Sequence, residues 1–567
     1  MTRFVAIALV AAVGGAWYVA LPPRAQPQPG PAPERPAQVR GAIHVHSNRS
    51  DGTGSVDDIA AAAARADLDF LVLTDHGDAT AKPDMPRYHA GVLIIDAVEI
   101  STYTGHVIAL GLPTSPYPLA GEARDVIDDI ARLGGFAIAA HPGSSKAELR
   151  WSDWSVAVAG LEWLNGDTEW RDESRWSLLR ALLSYPVRPE ETLASLLDRP
   201  VSVLARWDTL TQRSRVVAVA GADAHARIGM RSLGEPYDNT SSLHVPPYER
   251  MFRLFSNVLV DTSLTGDAAV DAGLVRAAIG NGHVYSTVDG LARGAAMSFT
   301  ATDGATRAGG GDVMPLKKGP ATLRVQLQGP ADARIELLKD GVVAAVATGA
   351  QLEHVADRAA PGVYRVEVSL PGAPGQPPVP WIVSNPIYVG RDSTRANPAT
   401  PRRPASRFLT KYGDGEAAGW TVATSPDSRA ALDVVRAARG TELVLRYALG
   451  GAASASPYAA FTLAAGTALA EYNRIVFTAR ADRPMRLSIQ LREPIGELGE
   501  RWRRSVFLDT MPREVTVHFD DLKPAGVTTR DRPTLANVDS VLFVVDTVNT
   551  PLGGSGRIWI DDVKYGR

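Results

Sequence analysis

Eight short apolar runs, none longer than five residues, punctuate the chain between residues 39 and 290 and constrain its fold more than any other feature. They are Val39 to Ile43, Phe70 to Leu73, Val92 to Ile95, Val107 to Leu110, Phe136 to Ala140, Leu161 to Leu164, Val216 to Ala220 and Val258 to Val260. Runs of this length between polar segments are strand-sized. Helical stretches lie between them. Ser55-Val56-Asp57-Asp58 opens an alanine-rich helix with a capping-box pattern, and Asp125 to Leu133 reads as another, stopped by Gly134-Gly135. The alternation predicts an α/β domain with a mostly parallel sheet, and seven or eight such units predict a barrel.

Metal-ligating residue types stand where these runs begin or end. The first is followed by His44-Val45-His46, with Asp51 in the loop SNRSDGTGS, and the second by Thr74-Asp75-His76. Glu99 follows the third, His106 precedes the fourth, His141 closes the fifth, and Asp223-Ala224-His225 follows the seventh. In an extended segment side chains at i and i+2 point the same way, so His44 and His46 are expected to reach one ion. Parallel barrel strands present their ends on one face, so the distant residues are expected to converge. The chain has no cysteine, which leaves imidazole and carboxylate as the ligands for any transition metal. Three carboxylates bring a charge of about -3 against about +6 from three divalent ions, a surplus that suits a phosphate dianion.

Elsewhere the texture differs. Residues 1–21 contain an uncharged run, FVAIALVAAVGGAWYVAL, read as a membrane anchor or signal peptide. Residues 22–38 form a proline-rich linker. On this reading the chain is exported, periplasmic or extracellular, and held at the inner membrane by its N-terminal helix. Residues 291–390 alternate as ATLRVQLQ, ARIELLKDG and GVYRVEVSL, which predicts a β-sandwich of the immunoglobulin kind. A linker at 391–407 leads to a block at 408–567 expected to be a jelly-roll sandwich. Its segment IWIDDVKY resembles those of carbohydrate-binding modules. The net charge of -3 over 567 residues supplies no field to draw a polyanion, so dedicated nucleic-acid binding is not expected.

The ordered set HVHSNRSDGTGS, LTDH, EIS before GHVIALG, AAHPG and GADAH resembles the PHP (polymerase and histidinol phosphatase) family over about 250 residues. The resemblance implies a distorted (β/α)7 TIM-like barrel over 39–290, followed by the two sandwiches in a multidomain chain. It implies His44, His46, Asp51, His76, Glu99, His106, His141, Asp223 and His225 as ligands to up to three zinc, manganese or iron ions. The implied activity is hydrolysis of a phosphate mono- or diester in a small phosphorylated substrate, a metal-bound hydroxide attacking in line. Arg227 is the expected phosphate clamp, Lys146 a further substrate contact, and Asp75 an acceptor that orients a ligand imidazole. The tryptophan-rich segment Ser144 to Arg215 is read as helices packed on the barrel or as a lid. His89, His244 and His283 are expected to be structural. Two other readings are a metal hydrolase acting on a non-phosphate bond, and a surface protein binding cell-surface glycan through 408–567 with a structural metal site.

Overall fold

The computed structural model describes residues 17–18, 21–26, 38–227, 245–304, 306–315, 320–356, 361–391, 403–413, 417–437, 440–452, 456–496 and 499–567. Most of the apolar N-terminal run, most of both proline-rich linkers and His244 lie outside these residues. The chain divides into two compact units. The first comprises Met1–Gly77, Lys82–Pro113 and Ile130–Pro398; the second comprises Asp78–Ala81, Thr114–Asp129 and Ala399–Arg567.

In unit 1 each of the eight apolar runs lies on a strand. The described strands up to residue 290, three of them without such a run, are β1 (Val39–Val45), β2 (Phe70–Leu73), β3 (Arg87–His89), β4 (Val92–Asp96), β5 (Val98–Thr102), β6 (Gly105–Leu110), β7 (Phe136–Ala139), β8 (Gly160–Asn165), β9 (Val217–Ala224), β10 (Ser256–Leu259) and β11 (Val284–Thr287). Parallel pairing runs in the order β7-β8-β9-β1-β2-β4. Side chains such as Ile43, Phe70, Val72, Leu93, Ile138 and Val219 meet in one core on one face, and alternate residues such as Leu71 and Ile94 are buried on the other, as parallel strands require. Among the helices, α1 (Val56–Arg65) begins on the capping box that its sequence predicts, with Ser55 and Asp58 each bonded to the other's backbone N–H. The next, α2 (Ala123–Arg132), has most of its residues in the second unit.

The expected (β/α)7 TIM-like barrel is not formed. β5, β6 and β7 are antiparallel neighbours, and Thr102 to Gly105 turn β5 directly into β6 without a helix. β10 and β11 are also antiparallel, and strand outweighs helix along the chain. Nor do residues 291–390 close on themselves as an immunoglobulin-like sandwich. Four of their strands form a separate sheet, but β11 pairs with Ile382–Ser384, which pairs in turn with Gly362–Ser369. The sheet that begins at β1 therefore runs on into this region.

The tryptophan-rich segment forms four helices, α3 (Gly166–Arg171), α4 (Arg175–Ser184), α5 (Pro189–Ala194) and α6 (Val201–Thr211). Trp151, Trp163 and Trp207 are buried, whereas Trp176 is exposed. Glu169 of α3 is buried and accepts from the backbone N–H of Asp198 (2.9 Å). Burial, with the neighbouring charges of Asp198, Asp172 and Glu173, pushes its carboxyl well above the usual range. A carboxyl whose folded pKa is raised destabilises the fold once pH exceeds its unfolded value, because the native state resists losing the proton. Glu169→Gln is expected to raise the melting temperature at neutral pH and leave it unchanged under acid conditions. Thermal melts across that range check this, and equal effects at both ends would refute it.

Unit 2 contains two six-stranded sheets closed over a core that includes Trp420, Phe461, Phe477, Trp502, Phe543 and Tyr565. Its segment 114–129 lies against the outer side of one sheet. Arg486 on the strand Met485–Glu493 donates to both carboxylate oxygens of Asp129 (2.6 and 2.7 Å), and Asn549 donates to the Pro118 carbonyl (2.9 Å). Among the described residues no helix is long and apolar enough to cross a membrane, so the expected transmembrane helix is carried by no described element.

Candidate metal centre

β1 does not stay extended to its end. His44 has φ 68°, and the register against both β2 and β9 shifts between Ile43 and Val45. This bulge, rather than a regular i, i+2 repeat, turns His44 and His46 onto one site, with ring centroids 5.1 Å apart. Asp223 (φ 47°) and His141 (φ 29°) also occupy the left-handed region. Three of the nine candidate ligands thus sit in backbone that non-glycine residues seldom adopt, strain of a kind concentrated at functional sites.

All nine meet in four overlapping groups, each with its ligand atoms within 4.8 Å of one another. The groups are His46, Asp51, His76 and His225; His44, Glu99 and His141; His44, His46 and Asp223; and His76, Glu99 and His106. Glu99 is the hub. Its oxygens lie 2.8 Å from His106 Nδ1 and from His141 Nε2, 3.2 Å from His44 Nε2 and His46 Nε2, and 3.3 Å from His76 Nδ1. His44, His46 and Glu99 are inaccessible to solvent or nearly so.

The nitrogens turned away from the cluster are tethered. His44 Nδ1–H donates to Glu162 Oε1 (2.7 Å), His141 Nδ1–H to the Leu149 carbonyl (3.1 Å) and His225 Nδ1–H to the Asp223 carbonyl (2.9 Å). Each bond fixes the ring and turns the other nitrogen inward, the arrangement by which proteins orient imidazole ligands. His106 Nε2 lies 3.2 Å from Ser101 Oγ. At the centre, both nitrogens of His46 and Oδ1 of Asp51 are buried with no hydrogen-bond partner. The nearest carboxylate oxygens to His46 lie 3.2 to 3.4 Å away, outside hydrogen-bonding geometry. Buried polar atoms left this way are costly, and a divalent cation would satisfy them. The donor set of imidazole and carboxylate suits zinc, manganese or iron.

Electrostatics in the cation-free chain follow the same crowding. Burial opposes charge on His44 and His46, but the carboxylates of Asp223, Glu162 and Glu99 around His44 raise it well above its ordinary value. Those of Asp223 and Glu99 lift His46 to about 10. Burial wins at His76, which falls to about 4. Burial also opposes ionisation of Glu99 and Asp223, yet the surrounding imidazoles hold both well below the carboxylate range. A divalent cation bound here would have to displace the protons that the carboxylates hold on His44 and His46.

No protein-family model matches the chain, and no curated protein matches it. Solved structures that resemble part of it include carbohydrate-binding modules. The family 11 module of a cellulosomal cellulase of Clostridium thermocellum is 16% identical, with 29% of this chain and 97% of that chain covered at a TM-score of 0.25. A family 30 module is 14% identical, with 28% and 88% covered at 0.23. The likeness spans less than a third of this chain and bears neither on the centre nor on what the chain binds.

The remaining expected residues divide. Arg227 reaches the rim, with Nη2 3.7 Å from Asp51 Oδ2. Lys146 is half-buried in the turn after His141 and makes no ion pair with the ligands among the described residues. Asp75 does not orient an imidazole. Its carboxylate accepts from the Ser47 N–H and hydroxyl (both 2.7 Å), the Ser50 hydroxyl (2.6 Å) and Arg49 Nε (3.0 Å). It therefore fixes the loop between His46 and Asp51. His89 and His283 lie outside the cluster, beside Asp57 and Asp312.

The orienting carboxylate is Glu162, which the sequence reading passes over because it lies inside the apolar run of β8. Glu162 also accepts from the His141 backbone N–H (2.6 Å) and Asn165 Nδ2 (2.8 Å). Its space exists because residue 221 is glycine, where a Cβ would stand 1.7 Å from Glu162 Oε1. Arg171 of α3 is a second cation beside the centre. Burial opposes its charge, but Asp167, with smaller effects of Asp223 and Asp51, holds its pKa up.

Proposed function

We propose that this chain is an exported metal-dependent hydrolase of phosphate esters, related to the PHP family its motifs resemble. The observation that carries the reading is the meeting of nine ligand side chains in four overlapping groups, with His44, His141 and His225 held by their outer nitrogens. Divalent cations bound there would lower the pKa of water and offset charge developing on a phosphoryl group. The chain's own residues supply the rest. Glu99, Asp223 and Asp51 provide negative charge that holds cations, the tethered imidazoles fix their positions, and burial of His44 and His46 excludes bulk water. Arg227 beside Asp51 offers a planar pair of donors for phosphate oxygens at the rim.

In the deciding experiment, the purified chain is assayed for bound metal and for turnover of a phosphomonoester and a phosphodiester, alongside the double variant His44→Ala/His46→Ala. Loss of metal together with at least about a 100-fold loss of turnover is expected. Unchanged metal content would remove the assignment, and turnover of amides without phosphoesters would move the reaction to another bond.

A second reading assigns glycan binding to unit 2. It is favoured by Trp559, half-buried on the outward side of the strand Ser555–Gly566, with Arg480 and Arg557 4.1 and 5.6 Å from its ring. Aromatic faces flanked by donors suit sugar rings. Retention of the full chain on immobilised β-glucan, undiminished by chelator and lost in Trp559→Ala, would support it.

A further inference from the structure

Helix α4 presents its apolar side to solvent. Trp176 is 79% exposed, Leu182 70% and Leu183 55%, and Leu179 is also exposed. At 3.6 residues per turn these four fall within about 120° of the helix circumference, while Ser184 and the half-buried Leu178 and Ala181 face the protein. A surface helix normally shows the opposite pattern, and a contiguous patch of this kind marks an interaction surface. Arg180, exposed, edges the patch on one side, and exposed Arg175 stands at its N-terminal end.

A second observation says what covers it. Just past α4, the Arg188 guanidinium lies 5.6 Å from the Tyr18 ring and donates to the Pro22 carbonyl. Leu21 is buried, and Gln26 pairs with the backbone at residues 291 and 292. Tyr18 and residues 21–26 are therefore fixed to unit 1 beside the end of α4, and the sequence leading into Tyr18 from Phe4 carries no charge. Exposed Trp17 and Tyr18 belong to the residue types enriched where a bilayer meets water.

We propose that the exposed side of α4 is a lipid-bilayer docking surface. Trp176, Leu179, Leu182 and Leu183 enter the acyl boundary, and Arg175 and Arg180 meet headgroup phosphates. An apolar helical face with cationic edges binds the plane of a membrane in this way, without crossing it. The inference stands apart from the metal centre.

The test exploits the absence of cysteine. In the full chain, Leu182→Cys carries a single environment-sensitive fluorophore, and Ser202→Cys on the exposed part of α6 is the control. Iodide quenching is measured with and without vesicles of phosphatidylethanolamine and phosphatidylglycerol. A several-fold loss of quenching at 182 on vesicle addition, with none at 202, is expected. Trp176→Glu/Leu182→Glu should sediment less with vesicles at an unchanged melting temperature. Equal quenching at 182 with and without vesicles overturns the proposal, even if the chain sediments with them through its N-terminal run. Protection at 182 before vesicles are added overturns it too, because a second copy or another part of the chain would then cover the patch.

Discussion

Changing Glu162 to glutamine is expected to weaken metal binding about 10- to 100-fold, the usual consequence of losing a carboxylate behind a ligand imidazole. Glu162 is buried and accepts three hydrogen bonds, from His44 Nδ1–H, the His141 N–H and Asn165 Nδ2. An amide has one acceptor atom where the carboxylate has two. Its NH2 group must then meet either the His141 N–H, donor against donor, or His44 Nδ1. The second choice forces the proton of His44 onto Nε2, the nitrogen that faces Glu99 and Asp223. Calorimetric titration with zinc or manganese measures the effect, and the melting curve of the metal-free protein separates it from misfolding. An affinity equal to that of the native chain, with an unchanged melt, would remove Glu162 from the centre's support.

The second large effect is on stability. Arg365 is buried and donates from Nε and Nη2 to Asp208 (2.6 and 2.8 Å) and from Nη1 to Glu367 (2.5 Å), with Trp207 5.1 Å beneath its guanidinium. Arg199 reaches Glu367 as well (2.9 Å). Burial opposes the charge, yet the two carboxylates hold Arg365 firmly protonated. Arg365→Met leaves fully buried Glu367 short of a partner and is expected to destabilise unit 1 by about 3–5 kcal/mol. Adding Glu367→Leu should recover part of that loss, because the stranded charge leaves with it. Denaturant unfolding of the single and double variants checks both, and a single variant within about 1 kcal/mol of the native chain would refute the argument.

The residues of the centre were legible because a ligand's chemistry is written in its residue type and its place at the end of an apolar run. The means of convergence were not. A regular strand puts residues i and i+2 on one side, but the backbone at His44 is left-handed, and nothing in HVH announces a bulge. Glu162 escaped because Leu161-Glu162-Trp163-Leu164 reads as strand core, and only the glycine across from it on β9 hinted at a side chain needing room. The barrel failed for a comparable reason. Apolar runs locate strands without giving their direction, and the β5–β6 hairpin was marked only by Thr102 to Gly105, where Gly105 adopts φ 122° and Thr102 Oγ1 donates to its carbonyl (2.5 Å). Alternation after residue 290 predicted strands correctly but could not tell which sheet they join.

That continuity sets where the chain can be cut. Severing it after Gly290 would strip β11 of its neighbour at Ile382–Ser384 and bare a ladder of unpaired amides, an invitation to stick to other molecules. It would also withdraw Asn385, whose side chain bonds Ala218 in both directions (2.8 Å each) and reaches the Val284 carbonyl (2.9 Å). The smallest portion with a prospect of surviving alone with its nine candidate ligands in place therefore extends past Val389, well beyond His225, the last of them.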